Sequence, residues 1–193
     1  MTTPVKVSVG PNMSTQLGAS GVQGWAVYFN ANGINPFWTP LTGTGASLNL
    51  PNQAGLKVYF ILQSISPGVT AVHTGGSASN PTDPIQTESQ ITPTGTPSSA
   101  QTLNYRYDSF EVTFTPAAAD AGNLTDINGF GIPMAVEVVY SGTSPTTSAS
   151  RGYMISGGVV GTSGTIWNEL QSAGGSASIQ HYAPGGGLTG ARM

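Results

Sequence analysis

Five of the eight acidic residues lie within residues 104–140, the longest strongly patterned stretch of the chain. They are Asp108, Glu111, Asp120, Asp126 and Glu137. Carboxyl groups commonly serve as general acids and bases, and a chain in which only 7% of residues are charged offers few other candidates. Any acid–base chemistry is therefore expected first in this stretch.

A β-strand is predicted for residues 105–114, because apolar and polar side chains alternate with a period of two. One face is apolar and consists of Phe110, Val112 and Phe114. The other face carries Glu111 together with Tyr107, Ser109 and Thr113. Pro116 ends the strand, since proline cannot donate to a β-ladder. Residues 117–122 are predicted to be a connection, and further extended runs are predicted at residues 123–128 and 134–140.

From the residues alone, Glu111 has two interpretations. A lone strand glutamate on a polar face is usually a solvated residue of an antiparallel sheet. Alternatively, Glu111 lines a groove with the polar side chains beside it. One carboxylate does not define a site, so the spacing of residues leaves both interpretations open.

Two motifs in this stretch resemble a known enzyme family. Asp108, Glu111 and Thr113 fit the pattern Asp-x-x-Glu-x-Thr. A second motif follows and is matched by Asn123, Thr125, Ile127, Phe130, Gly131, Ile132 and Pro133. Both resemble the laminaripentaose-producing β-1,3-glucanases, which form glycoside hydrolase family 64 in the thaumatin-like superfamily. The resemblance is specific over residues 107–134 and diffuse elsewhere.

The resemblance implies a catalytic Glu–Asp pair that hydrolyses β-1,3-glucan with inversion. The family's Glu corresponds to Glu111, the general acid, but its Asp corresponds to Asn128. An amide can position a water molecule but cannot take its proton. Asp126 lies two residues earlier on the same side of an extended chain, displaced by roughly 6–7 Å, and would be a shifted base. Whether hydrolysis is retained stays open.

The same resemblance places three further side chains along the glucan-binding groove: Tyr107, Thr113 and Thr125. No cofactor and no metal ion are expected. His73 and His181 lack the spacing of metal ligands, and each is expected to be an ordinary surface or groove histidine.

The whole chain is predicted to be one mainly β domain, residues 1–193, in which antiparallel sheets form a thaumatin-like sandwich with one short helix. Short apolar runs separated by turn residues predict strands at 5–9, 25–30, 46–50, 56–62 and 69–73. The helix is predicted at Gly164–Ala173, with Gly174 after its end. Residues 10–24 are predicted to be a loop, and residues 74–100 and 141–150 long surface loops. Of the adjacent aromatic residues Phe37 and Trp38, one is expected on the surface.

Composition excludes several functions. The chain has no cysteine, so disulfides and thiol chemistry are absent. Five basic residues and a net charge of −3 offer no footprint for nucleic acid. No apolar segment approaches the ~20 residues of a membrane-spanning helix. The surface is rich in hydroxyl and amide groups, which suits an extracellular or cell-surface protein. The N-terminus shows no signal peptide, so we expect that the sequence is the mature form or that export uses another route.

Two functions from different classes follow. The first is a secreted protein that binds β-1,3-glucan or a related polysaccharide, with or without weak inverting hydrolysis. The second is a self-assembling extracellular structural protein, such as a filament or coat subunit. Low charge reduces repulsion between copies and unprotected β edges favour strand addition, so a homo-oligomer or polymer is its expected state.

Overall fold

The computed structural model describes residues 2–91, 105–114, 121–124, 132, 134–139, 148–152, 154–155 and 159–160. Over these residues the chain is mainly β, with one short α-helix, α1 (Pro11–Leu17), and one 3-10 helix at Glu88–Gln90. The strands are β1 (Thr2–Val7), β2 (Val22–Tyr28), β3 (Phe37–Pro40), β4 (Ala46–Pro51), β5 (Leu56–Ser64), β6 (Arg106–Thr113), β7 (Ala121–Leu124), β8 (Ala135–Val139), β9 (Ser148–Gly152), β10 (Met154–Ile155) and β11 (Val159–Val160).

A five-stranded antiparallel sheet with the order β3-β2-β5-β6-β7 carries the candidate residues. Its central strand is β5, which pairs with β2 on one side and β6 on the other. Both faces of β5 are covered, which explains why its sequence is almost continuously apolar instead of alternating. In the β5–β6 register Lys57 lies opposite Glu111, and Tyr59 lies opposite Ser109.

Each face of this sheet packs against its own apolar core. The first core comprises Trp25, Val27, Phe29, Trp38, Tyr59, Ile61, Val72, Ile85, Ile91, Tyr105 and Tyr107. The second core comprises Ala26, Leu41, Leu48, Leu50, Leu56, Val58, Phe60, Leu62, Phe110, Val112 and Ile132. Burial of one large apolar side chain stabilises a fold by about 1.5–3 kcal/mol, so the two cores together stabilise the five-stranded sheet from both faces.

A two-stranded antiparallel sheet, β1 with β4, packs on the second core. Leu48 and Leu50 of β4 belong to that core, while Val5 and Val7 of β1 are partly buried against it. The turn before β4 requires glycine at position 45. Its φ is +95°, and a Cβ atom there would overlap the carbonyl oxygen of Val7.

The mainly β, antiparallel prediction is confirmed over the described residues, and the predicted strands at 5–9, 25–30, 46–50, 56–62 and 105–114 correspond to β1, β2, β4, β5 and β6. As expected for the adjacent aromatic pair, Trp38 is 1% exposed and Phe37 is 47% exposed. The sandwich, its thaumatin-like character and the single domain stay predictions. The predicted helix at Gly164–Ala173 lies outside the described residues.

The predicted loop at residues 10–24 is wrong at Pro11–Leu17, which forms α1, and at residues 22–24, which begin β2. Pro11 occupies the first position of the helix, where a backbone N–H would have no partner within the helix and its absence costs nothing. Met13 and Leu17 lie one turn apart on the side that packs against the second core. The glycine- and serine-rich neighbourhood hid this spacing. At the other end of the chain, residues 148–150 of the predicted loop at 141–150 belong to β9, and β7 begins at Ala121 inside the predicted connection.

The predicted strand at residues 69–73 is not a strand. The side chain of Gln63, which is fully buried, takes the place of a neighbouring strand by pairing with this backbone. Its Oε1 atom accepts a bond from the N–H of Val72 at 2.8 Å, and its Nε2 atom donates to the carbonyl of Thr70 at 2.9 Å. A single side-chain amide therefore bonds backbone groups of a segment for which the apolar pattern predicted a strand.

Candidate functional site

Glu111 lies on β6 on the same face as Tyr59, as the alternation predicts. Its side chain is half-buried, and Lys57 is its cross-strand neighbour on β5. The Oε1 atom points towards Gly55, since a Cβ atom placed on that glycine would lie 3.8 Å from it. Glu111 is therefore at the solvent-accessible end of the face whose other end is the first core.

The other two predicted residues of β6 occupy different environments. Tyr107 is 2% exposed and packs in the first core, where its ring centroid lies 6.4 Å from that of Tyr59. The role of Tyr107 in this fold is packing. Thr113 is half-buried, and its Oγ1 atom accepts a hydrogen bond from the N–H of Gly55 at 3.0 Å. Thr113 thus holds the β4–β5 turn against the end of β6.

The remaining predicted site residues lie outside the described part of the chain: Thr125, Asp126 and Asn128. The register of β7 places the backbone of Asn123 opposite Glu111. The assembly of these three residues with Glu111 into an acid–base pair stays a prediction.

Asp108, the first residue of the matched motif, is buried and serves the fold. Its Oδ1 atom accepts a bond from the N–H of Ser109 at 2.8 Å, and its Oδ2 atom accepts one from the N–H of Ile132 at 3.1 Å. A buried carboxylate that accepts backbone N–H bonds ties two segments together. In this fold Asp108 joins β6 to the backbone of Ile132.

An open depression with a volume of about 470 Å³ adjoins Lys57, the neighbour of Glu111. Its floor is the start of β5, one wall is the turn at residues 30–35, and the other wall is the 3-10 helix. The lining residues are Asn32, Gly33, Ile34, Lys57, Tyr59, Thr87, Glu88 and Ser89. The lining combines hydroxyl, amide, ammonium and carboxylate groups with one exposed aliphatic side chain, Ile34.

A short hydrogen bond joins the floor and the wall of this depression. The hydroxyl of Tyr59 donates to Oε1 of Glu88 at 2.6 Å. Burial of Tyr59 raises the pKa of its hydroxyl well above the usual range, and the hydrogen bond to Glu88 and the negative charges of Glu88 and Glu111 raise it further. Both carboxylates are thus close enough to Tyr59 for their charges to act on it.

Backbone contacts fix the position of Glu88. Its N–H donates to the carbonyl of Gly33 at 2.9 Å, and Thr87 forms an isolated antiparallel bridge with Ile34. Gln90 closes the 3-10 turn, because its Oε1 atom accepts the N–H of Thr87 at 2.8 Å. Sequence reasoning missed Glu88 by assigning it to a long surface loop. The signal was Thr87-x-x-Gln90, a spacing typical of a capping box.

The expectation that His73 is a surface or groove histidine is wrong. Its side chain is 1% exposed, stacks on Trp38 at 4.5 Å between ring centroids, and meets the edge of Trp25 at 4.6 Å. Nδ1 lies 2.5 Å from Oδ2 of Asp83, which is also buried. Sequence spacing could not reveal this pair, since its pocket is assembled from β2, β3 and the segment after β5. No cluster of three or more His, Cys, Asp or Glu side chains suited to a metal ion occurs among the described residues.

Comparison of the chain with protein-family models, curated proteins and solved structures finds no match. The resemblance to the glucanases is therefore carried by the two motifs alone. Among the residues that the structure describes, no helix has the length and apolar character to cross a bilayer. Any functional assignment must come from the geometry around Glu88 and Glu111.

Proposed function

We propose that this chain is an extracellular carbohydrate-binding protein directed to β-1,3-glucan or a related polysaccharide. The observation that supports it best is the Tyr59–Glu88 pair in an open depression that adjoins Lys57, the cross-strand neighbour of Glu111. The choice of β-1,3-glucan comes from the motif resemblance. The depression supplies the physical argument for a sugar.

The groups around the depression suit a neutral polyol. An ionised carboxylate offers about four acceptor positions, and only one bond to Glu88, from Tyr59, is formed by a side chain among the described residues. The ammonium of Lys57 can donate to sugar oxygens, and no hydrogen bond or ion pair occupies it within the described ranges. Ile34, 42% exposed, offers an apolar surface for the C–H face of a sugar ring.

Binding is tested by calorimetric titration with laminarihexaose. Glu88→Gln keeps the shape of the side chain and removes its charge, so we expect about a 10-fold or greater loss of affinity, the size of a lost charge-assisted hydrogen bond. Lys57→Gln should also weaken binding, whereas Lys6→Gln, its exposed counterpart on β1, should have no effect. Absence of binding by the parent protein would overturn the proposed function.

Hydrolysis is a separate part of the proposal. Glu111 would protonate the leaving oxygen while a second carboxyl, predicted to be Asp126, takes a proton from the attacking water. Digestion of laminarin followed by chromatography of the products tests this step. Glu111→Gln should abolish any activity that is found, since a glutamine has no proton to give. A variant as active as the parent would remove Glu111 from the mechanism and leave a binding protein.

Self-assembly is the second candidate function. Within the described residues, edge strand β3 pairs only with β2, and it presents Phe37 with 47% of its surface exposed. An unpaired edge bearing an exposed aromatic residue is a surface on which another chain can add a strand. Because the chain carries little charge, electrostatic repulsion between copies would be weak.

A further inference from the structure

The segment between β5 and the 3-10 helix contains no regular secondary structure over residues 65–87, yet a dense set of side-chain bonds holds it. Its central group is the buried pair of His73 and Asp83. His73 stacks on the ring of Trp38 and makes an edge contact with that of Trp25, and these two contacts fix its plane. Its Nε2 atom donates to the carbonyl of Gly76 at 2.7 Å, because a carbonyl oxygen can only accept.

Asp83 closes the segment on itself. While Oδ2 bonds to His73, Oδ1 accepts from both the N–H and the hydroxyl of Thr74, at 3.0 and 3.1 Å. Asn80 adds to the same closure, since its Nδ2 atom donates to the hydroxyl oxygen of Thr74 at 2.9 Å. The carboxylate of Asp83 is therefore bonded through both oxygens and gives residues 73–83 one conformation.

Gln86 connects this closed segment to the wall of the depression. Its Nε2 atom donates to the carbonyl of Asp83 at 2.9 Å and to that of Asn80 at 2.7 Å. Its backbone N–H donates to Oε1 of Gln90, the same atom that receives the N–H of Thr87. Glu88 directly follows Thr87 in the chain. Hydrogen bonds thus run from the buried aromatic pocket to Gln86 and Gln90, and the backbone between these two residues carries Glu88.

We infer that the buried His73–Asp83 pair, acting through Gln86, is the positioning element that holds Glu88 in its ligand-binding place; the binding role rests on the proposed function. From the other side, this part of the wall is held by the Glu88–Gly33 bond, the Thr87–Ile34 bridge and the Tyr59–Glu88 bond. The hydroxyl of Tyr105 also donates to the carbonyl of Ile91, just after the 3-10 helix, at 3.1 Å. A single 3-10 turn that follows a segment without regular secondary structure needs such a fixed base, since an unordered carboxylate would lose conformational entropy on binding. His73 and Asp83 themselves are buried and do not contact the ligand.

The first test needs no ligand. Asp83→Ala removes the carboxylate, and Gln86→Ala, at a half-buried position, removes only the connection to the wall. We expect amide hydrogen exchange at Glu88 to accelerate about two- to tenfold in Gln86→Ala and more in Asp83→Ala, with the central strand β5 unchanged. Asp83→Asn should give an intermediate effect, because an amide still accepts from Thr74 and donates to Nδ1. Thr15→Ala, which loses a comparable bond in α1, is the control. Unchanged exchange at Glu88 in both alanine variants would overturn the inference.

The second test is a double-mutant cycle on binding of laminarihexaose. Gln86→Ala should lower affinity about two- to tenfold when Glu88 is present and should have no further effect in the Glu88→Gln background. A merely structural role would lower affinity equally in both backgrounds, which would overturn the binding role of the pair. If the parent protein binds no glucan, the proposed function fails, and the exchange experiment alone decides whether the pair positions Glu88. If Asp83→Ala does not fold, Gln86→Ala carries both tests.

Discussion

The hydroxyl of Tyr59 is the residue-scale feature with the clearest electrostatic consequence. Tyr59 is 3% exposed, donates to Glu88, and lies in the field of two carboxylates. Each of these conditions disfavours the phenolate, so the folded state holds the proton of Tyr59 more tightly than the unfolded chain does. The ordinary pKa of the group is 10.0.

The free energy of unfolding should therefore depend on Tyr59 at alkaline pH. The contribution of Tyr59 is fully present below pH 10 and is lost as the pH rises from 10 towards the folded-state pKa, because only the unfolded chain then releases the proton. The decline is at most about 1.4 kcal/mol per pH unit for one proton. Urea unfolding between pH 8 and 11 should show the parent losing its advantage over Tyr59→Phe. The two variants share every other tyrosine, so a constant difference across this range would contradict the assignment.

The residues of the site were only partly predictable from sequence. Alternation along residues 105–114 gave the correct face for Glu111, since strand geometry requires a period of two. Glu88 could not be found in this way, because it reaches Tyr59 through a contact between segments 29 residues apart. The burial of Tyr107 could not be predicted either. Tyr107 and Glu111 lie on the same face of β6, but the first core covers only the end of that face where Tyr107 lies.

At the scale of elements, strands were predicted better than the segments between them. β5 is central and buried on both faces, so its apolar run is unambiguous. The segment at 69–73 has a similar pattern, but Gln63 satisfies its backbone. Local sequence cannot tell whether a distant side chain or a neighbouring strand will meet a given N–H group. Helix α1 was missed because seven residues beside glycines carry little periodic signal.

The turn into β4 provides an element-scale prediction. Gly45→Ala would place a Cβ atom against the carbonyl oxygen of Val7 at a φ of +95°, so the turn and the β1–β4 pairing must shift. We expect a loss of more than about 1 kcal/mol in the free energy of unfolding, measured by urea titration. Gly76→Ala is the matched control, because nothing lies within 4 Å of its Cβ position and its φ is not positive. Equal stability of the two variants would show that the turn adapts.

For the whole molecule, the scarcity of charge leaves little electrostatic repulsion towards either of the two proposed partners, a glucan or another copy of the chain. The residues that would serve these two partners are different. Glu88 and Lys57 lie by the depression, whereas Phe37 lies on the edge strand and stacks on Tyr28 at 4.9 Å between ring centroids. The two functions can therefore be separated by substitution.

The proposed function predicts that the purified protein stays monodisperse in light scattering and forms no regular polymer in electron micrographs. Phe37 is already half covered and its ring stacks on that of Tyr28. In addition, β3 has only four residues, which gives an added strand few bonds. Phe37→Lys places a charge on this edge and should leave the binding of laminarihexaose unchanged. Filaments formed by the parent and dispersed by Phe37→Lys, together with an absence of glucan binding, would instead establish the structural function. In that case the edge of β3, and not the depression around Glu88, would be the working surface of the protein.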